Sequence, residues 1–294
     1  MFAYLDRISN HGIQDVTTDE LNAFEFDGNR ISLLQHMRGI RVVSGLPAAL
    51  SIRTTFASRP QDRPYEDAEG PDGYFRYKWR GTDEEAHDNV ALRVASTERR
   101  PLAWFVGVAP GRFTPIYPVW LVGEEAAEHQ FVLAFDEVMR DDWSSEGRLQ
   151  HPADLALRRE YAEATVRRRL HQPVFRQRVL LAYKSQCSLC RLRHPELLDA
   201  AHIREDSEGG QPIVPNGVAM CAIHHRAFDG GVIGIRPDHV IQVRADVLEE
   251  VDGPTLLHTL QGIHGENLSL PASRRAWPDR LLLEERYQRF RDAS

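Results

Sequence analysis

Cys187-Ser188-Leu189-Cys190, then Asp199-Ala200-Ala201-His202, then Asn216-Gly217-Val218-Ala219-Met220-Cys221-Ala222-Ile223-His224-His225-Arg226-Ala227-Phe228-Asp229 decide the fold of this chain. Cys187 and Cys190 stand at the x2 spacing of a metal knuckle, and Cys221 and His224 repeat that spacing further on. Zinc takes four borderline-soft ligands in a tetrahedron, and C-x2-C plus C-x2-H supplies four. A buried cysteine is often only a small hydrophobe. The chain, however, has three cysteines in all, and every one falls in this window. On spacing alone, His225 in place of His224 is an alternative fourth ligand. His202, Asn216 and one of the two adjacent histidines are left for other chemistry.

Local patterning around these residues predicts a strand over 197–203, a polar loop over 205–215 containing Gly209-Gly210, and a helix opening at Cys221. Asn216-Gly217 also reads as a turn pair, and Asp229-Gly230-Gly231 as a helix stop. The order of residues resembles the HNH nucleases, the ββα-metal superfamily, in their zinc-stapled branch found in bacterial restriction endonucleases. The resemblance implies that His202 is the general base, Asn216 the middle Asn and His225 the metal-bound His. Asp229 stands where many members carry the last metal-binding His. The place directly before the base, Asp or His in many members, is Ala201 here, and the nearest acid is Asp199. The implied cofactors are a structural Zn2+ on Cys187, Cys190, Cys221 and His224, and a catalytic divalent ion such as Mg2+, Mn2+ or Ni2+ on His225, Asp229 and Asp199. The residue types suit phosphodiester hydrolysis. A neutral His can take a proton from water near pH 7, and a hard cation neutralises the charge that develops on phosphate.

The outer bounds are those of an ordinary globular protein. The chain has 294 residues, 42 % hydrophobic and 27 % charged, long enough for about two domains. No apolar run reaches membrane-span length. The start, Met1-Phe2-Ala3-Tyr4-Leu5-Asp6-Arg7-Ile8, lacks the basic region and long apolar core of a signal peptide. Cysteines in a metal pattern rather than a paired framework fit a reducing cytoplasm. The net charge of −7 argues against a nucleic-acid partner, but net charge is only an average and DNA binding needs a local basic face. Arg167, Arg168 and Arg169, with Arg158, Arg159, Arg176 and Arg178 nearby, crowd one helical stretch and are candidates for backbone contacts. Three parts are expected: residues 1–140, a linker with helices over 141–183, and 184–294 with the nuclease motif and a tail. The tail is expected to end in a packing helix over 278–291.

The amino-terminal part carries a second signal. Residues 74–80 alternate Tyr74, Arg76, Lys78 and Arg80 with Phe75, Tyr77 and Trp79, a strand pattern. A short helix over 89–95 and strands over 102–108 and 117–122 follow. Over residues 65–125 this order resembles SRA-like domains, PUA-like barrels that read modified cytosine. Such a reader flips the base into a pocket, stacks it on aromatic rings and hydrogen-bonds its edge. Tyr65, Tyr74 and Asp83 are the candidates for that pocket; Phe105, Tyr117 and Trp120 read as core.

The expected fold is therefore α+β: an SRA/PUA-like β-barrel with helices, a helical linker, and a zinc-stapled ββα-metal HNH nuclease domain. The expected function is a modification-dependent restriction endonuclease acting on double-stranded DNA with modified bases, as a homodimer when both strands are cut. An HNH nuclease reading plain sequence or another modification is one alternative, and a non-catalytic zinc-containing DNA-binding protein is another.

Overall fold

The computed structural model describes residues 1–35, 37–56, 68–143 and 152–292, and it divides into two compact units, Met1–Val174 and Phe175–Ser294.

The first unit begins with helix α1 (Phe2–Ser9), strand β1 (Val16–Thr17) and helix α2 (Thr18–Asn22). Thr17 caps α2 reciprocally with Glu20, satisfying two otherwise unpaired backbone donors. A small hairpin, β2 (Glu25–Phe26) and β3 (Asn29–Arg30), follows. Then come β4 (Ile40–Val42), β5 (Ala49–Thr54), β6 (Ala68–Glu69), β7 (Phe75–Lys78), helix α3 (His87–Thr97), β8 (Leu102–Ala109), β9 (Arg112–Glu125) and β10 (Gln130–Ala134). They build an eight-stranded sheet in the order β4-β5-β8-β9-β10-β7-β6, with β1 also on β9. Among the described strands only β5 and β8 run parallel, with Ile52 opposite Trp104. A partly open β-barrel is the expectation. Among the described residues the sheet stays open, with β4 and β6 at its two ends; register shifts in β4, β8 and β10 mark where the ladder bends.

Both faces of this sheet are covered. Ala103, Phe105 and Phe113 pack with Leu5, Val16 and Leu21 on one face. Trp104 points to the other, against Phe75 and Phe135 with ring centroids 5.1 and 6.1 Å away, and donates its indole N–H to Thr54 Oγ1. Helix α4 (Glu137–Trp143) and helix α5 (Pro152–Val166) complete the unit. A wide, π-type helical segment, Arg167–His171, leads into helix α6 (Gln172–Ala182), within which the division between units falls. Pro173 sits at the second position of α6, and the loosened turn before it absorbs the hydrogen bond and space that a proline removes.

The second unit is built on an antiparallel hairpin, β11 (Leu198–His202) and β12 (Gly217–Cys221), followed at once by helix α7 (Ala222–Asp229). His202 pairs with Gly217. A Cβ at Gly217 would lie 2.5 Å from Val179 and 2.8 Å from Phe175, so only glycine allows α6 to approach the hairpin this closely. A second hairpin, β13 (Ile233–Ile235) and β14 (Ile241–Val243), leads to the short helix α8 (Ala245–Glu249) and the final helix α9 (Arg280–Asp292). Leu283 and Phe290 bury the inner stripe of α9, Phe290 against Gly234. Among the described residues no helix is long and apolar enough to cross a membrane.

Candidate active site and metal sites

The hairpin and α7 present two different chemical surfaces. Successive helix residues point about 100° apart. His224 and His225, adjacent in α7, therefore serve different sites.

His224 is fully buried and turns to the cysteines. Its Nδ1 lies 3.2 Å from Cys221 Sγ and 3.5 Å from Cys187 Sγ, and Cys190 Sγ lies 3.9 Å from Cys221 Sγ. A tetrahedral zinc site with Zn–S near 2.3 Å sets ligand separations of roughly 3.4–3.8 Å. All four ligand atoms lie within 4.8 Å of one another, so this group can hold a zinc ion. The knuckle is fixed by its backbone: Arg191 N–H donates to the Cys187 carbonyl, Cys187 N–H to Leu192, and Ser188 N–H to Ala219 of β12. His224 Nε2 is 2.8 Å from the Thr259 carbonyl oxygen. A carbonyl only accepts, so Nε2 carries the proton and Nδ1 is left to face a metal.

The four side chains perturb one another strongly. The Cys187 and Cys221 sulfurs push the Cys190 thiol up, while Cys187 and Cys190 hold Cys221 down. Burial disfavours a charged His224, yet the Cys187 and Cys221 sulfurs and the Thr259 carbonyl outweigh it and raise it to about 10. Close-packed sulfurs retain protons unless a dication compensates their charge.

His225 faces the opposite way. Its Nδ1 is 3.3 Å from Asp199 Oδ2, and its Nε2 is 3.2 Å from Asp229 Oδ2. Asp229, one turn on, shares the helix face by its i,i+4 spacing. Asp199 comes from β11, where its Oδ1 accepts from Ala200 N–H and lies 3.5 Å from Arg176 Nε. The Asp199 hydrogen bond raises His225 above the ordinary histidine value. Burial would raise Asp199, but His225 and the Ala200 N–H hold it below the usual carboxylate range. The two carboxylates bracket the imidazole from either edge, and Asp199, His225 and Asp229 line a cleft of about 410 Å³.

His202 ends β11 and stacks on Phe175, ring centroids 4.0 Å apart and 16° from coplanar. Burial lowers it below the ordinary histidine value, so it is neutral near pH 7. Asn216, almost fully buried, spends its amide on the intervening loop. Its Oδ1 accepts from Arg204 N–H, and its Nδ2 donates to the carbonyls of Arg204 and Gln211. Truncating it removes three part-buried hydrogen bonds to the backbone, each worth about 0.5–1.5 kcal/mol net. Asn216→Ala is expected to destabilise the unit by about 2–4 kcal/mol. Denaturant melts followed by circular dichroism check this; an unchanged midpoint would remove the loop-holding role.

The other sequence candidates are more scattered. Tyr74 lies in the core of the first unit, 4 % exposed, with its hydroxyl donating to the Met139 carbonyl and its ring edge-on to Trp143. Asp83 is exposed; its carboxylate accepts from Glu85 N–H and its carbonyl from Asn89. Tyr65 lies outside the described residues. Arg167 and Arg168 are exposed, whereas Arg169 donates to the carbonyls of Tyr117 and Phe135. One concavity of this unit, about 280 Å³, is lined by Arg38, Arg53, Thr54, Tyr77, Lys78, Trp79 and Arg80 among others. Buried Asp88 anchors two of its cations, with Arg80 at 2.9 Å and Arg38 at 3.6 Å. Sequence reading placed Arg176 among the basic-stretch candidates for backbone contacts rather than beside Asp199, and missed the Thr259 carbonyl. Neither obeys a spacing rule, since one is a cation on another element and the other is a backbone atom.

A β-hairpin feeding a helix, with a Cys3His group on one side of that helix and a His flanked by carboxylates on the other, is the arrangement of an HNH endonuclease domain. Residues 187–236 match the HNH endonuclease family. The chain thus carries an HNH endonuclease domain and is a nuclease. No curated protein matches it significantly. Solved structures similar to it include the modification-dependent TagI restriction endonuclease, at 17 % identity and a TM-score of 0.30, over 86 % of this chain and 85 % of that one. Another is the type IV phosphorothioation-dependent restriction endonuclease ScoMcrA, at 14 % identity and a TM-score of 0.24, over 88 % of this chain and 60 % of that one.

Proposed function

We propose that this protein is a modification-dependent restriction endonuclease. Its amino-terminal unit reads modified cytosine, 5-methylcytosine or 5-hydroxymethylcytosine, in double-stranded DNA, and its HNH site hydrolyses the backbone. The observation that carries the nuclease half is the division of labour across α7, with His224 toward the sulfurs and His225 toward the carboxylates. Cys187, Cys190, Cys221 and His224 hold a structural Zn2+. His225, with Asp229 and Asp199, holds a divalent ion such as Mg2+, Mn2+ or Ni2+, which supplies charge neutralisation at the phosphate when bound. His225 must give up a proton to become a ligand, so divalent-ion affinity rises with pH. His202, neutral and braced by Phe175, takes the proton from the attacking water. Asn216 holds the loop between His202 and α7 in shape.

The reading half rests on the SRA-like order of motifs and on the cleft that joins Tyr77 and Trp79 to Arg38, Arg53, Lys78 and Arg80. Aromatic rings suit a flipped base, and cations suit its phosphates. One HNH site cuts one strand, so a double-strand break calls for a second copy of the chain. The test is digestion of matched plasmids carrying cytosine, 5-methylcytosine or 5-hydroxymethylcytosine in each of the three ions. Cutting confined to modified plasmids is expected. Equal cutting of all three would leave an HNH endonuclease that reads plain sequence or another modification. No cutting under any condition would leave a zinc-containing DNA-binding protein.

A further inference from the structure

The segment that matches the HNH family ends at residue 236, yet one side chain from far beyond it reaches the divalent-ion site. Arg286 lies on α9 and its side chain is 11 % exposed. Its Nη2 is 3.3 Å from Asp229 Oδ1 and 3.3 Å from the Phe228 carbonyl oxygen. Its guanidinium lies over the Phe228 ring, 4.6 Å from the centroid. Its Nη1 is 3.4 Å from Glu205 Oε1, in the loop that follows His202.

This placement answers a physical difficulty. Asp229 is the last residue of α7, followed by Gly230 and by Gly231 at φ 65°. A helix carboxyl end carries unpaired carbonyls and partial negative charge, so a carboxylate is disfavoured there. Two glycines after it leave the backbone free to turn away. One guanidinium donates to both the terminal carbonyl and the carboxylate, and the Phe228 ring fixes its plane. Asp229 Oδ1 is thereby engaged, and Oδ2 is left facing His225 Nε2.

We propose that Arg286 is a positioning residue for the divalent-ion site: it holds Asp229 against the end of α7 with one oxygen turned to His225. The α9 helix, outside the family-matched segment, is then part of the active-site framework. The inference rests on Asp229 being a divalent-ion ligand. Removing partners that orient metal ligands costs about 10- to 100-fold in affinity.

The test measures Mn2+ affinity by calorimetry on the full-length, zinc-loaded protein. Wild type, Arg286→Ala, Asp229→Asn and the double variant are compared, with melting temperature as the folding control. Arg286→Ala is expected to weaken Mn2+ binding by about 10- to 100-fold, and to add little on top of Asp229→Asn. Arg286→Lys keeps the charge but loses the planar fork, so it should fall between; it carries the comparison if the alanine variant does not fold. Wild-type Mn2+ affinity in Arg286→Ala, or an equal loss with Asp229→Asn already present, would overturn the proposal while leaving Asp229 a ligand. Wild-type affinity in Asp229→Asn would remove Asp229 as a ligand, and the proposal with it.

Discussion

His202→Ala is expected to cut the single-turnover cleavage rate by about 10²- to 10⁴-fold, the usual worth of a positioned general base. Duplex affinity and melting temperature should stay close to wild type. His202 is outside the Cys3His group, and its ring stacks on that of Phe175. The pH profile gives an independent readout. Burial lowers the His202 pKa, so the neutral, base-competent form persists below the ordinary histidine value near 6.5. With the divalent ion saturating at each pH, the rate should therefore hold as pH falls through 6.5 and drop only at lower pH. Filling the stacking surface differently, with Phe175→Ala, exposes the ring and should move that limb upward toward the ordinary value. A His202→Ala enzyme that cleaves near the wild-type rate under single-turnover conditions would remove His202 as the base. The next candidate would then have to come from the cleft beside His225.

The carboxyl-terminal unit was more legible in the sequence than the amino-terminal one, for a physical reason. Its information is local. A strand expected over 197–203 is Leu198–His202, the helix expected to open at Cys221 is Ala222–Asp229, and the one expected over 278–291 is Arg280–Asp292. Ligand spacing also survives translation into structure, because C-x2-C makes one tight turn and C-x2-H one turn of helix. Adjacent histidines are ambiguous on spacing, and only the helix phase separates His224 from His225. The first unit depends on pairings far apart in sequence, and alternation misleads there. In 74–77 the polar and apolar positions are both inside: Phe75 and Tyr77 face one buried side, while Tyr74 and Arg76 are buried as well. Arg76, which reads as a solvent-facing residue, is held between Asp72 and Glu125 at 2.6 Å each. Alternation locates a solvated face only when one face of a sheet is wet, and here neither is. The strand order β4-β5-β8-β9-β10-β7-β6 is likewise a non-local property that leaves no mark on any single segment. Arg286 was invisible for the same reason, since residues 237–285 intervene between the matched segment's end and its place beside Asp229.

Cys221→Ala is expected to remove zinc and, with it, the cooperative fold of the carboxyl-terminal unit. Cys221 has three structural duties at once. It is the last residue of β12, it is the residue from which α7 starts, and its sulfur is the nearest to His224 Nδ1. Structural zinc contributes about 10–16 kcal/mol in small zinc modules, while whole domains are stable by only about 5–15 kcal/mol. Losing the ion therefore outweighs what the rest of the packing leaves over. The buried residues around the knuckle, Val179, Leu198, Val218 and Phe228, form a core of ordinary size for a small unit, not one able to absorb such a loss. Elemental analysis of the wild type should give one zinc per chain, and Cys221→Ala should give none, with low soluble yield and no sharp melting transition. Acid should mimic the substitution, because thiols and imidazole must shed protons to bind the ion and reclaim them as pH falls. Chelation provides the milder comparison. Slow removal of the ion from wild-type protein should abolish cleavage and the melting transition together, and Zn2+ should restore both, whereas Mg2+ should restore neither. A Cys221→Ala protein that melts cooperatively at the wild-type temperature would mean that the four ligands are a buried cluster of small side chains and that the hairpin and α7 hold together by packing alone.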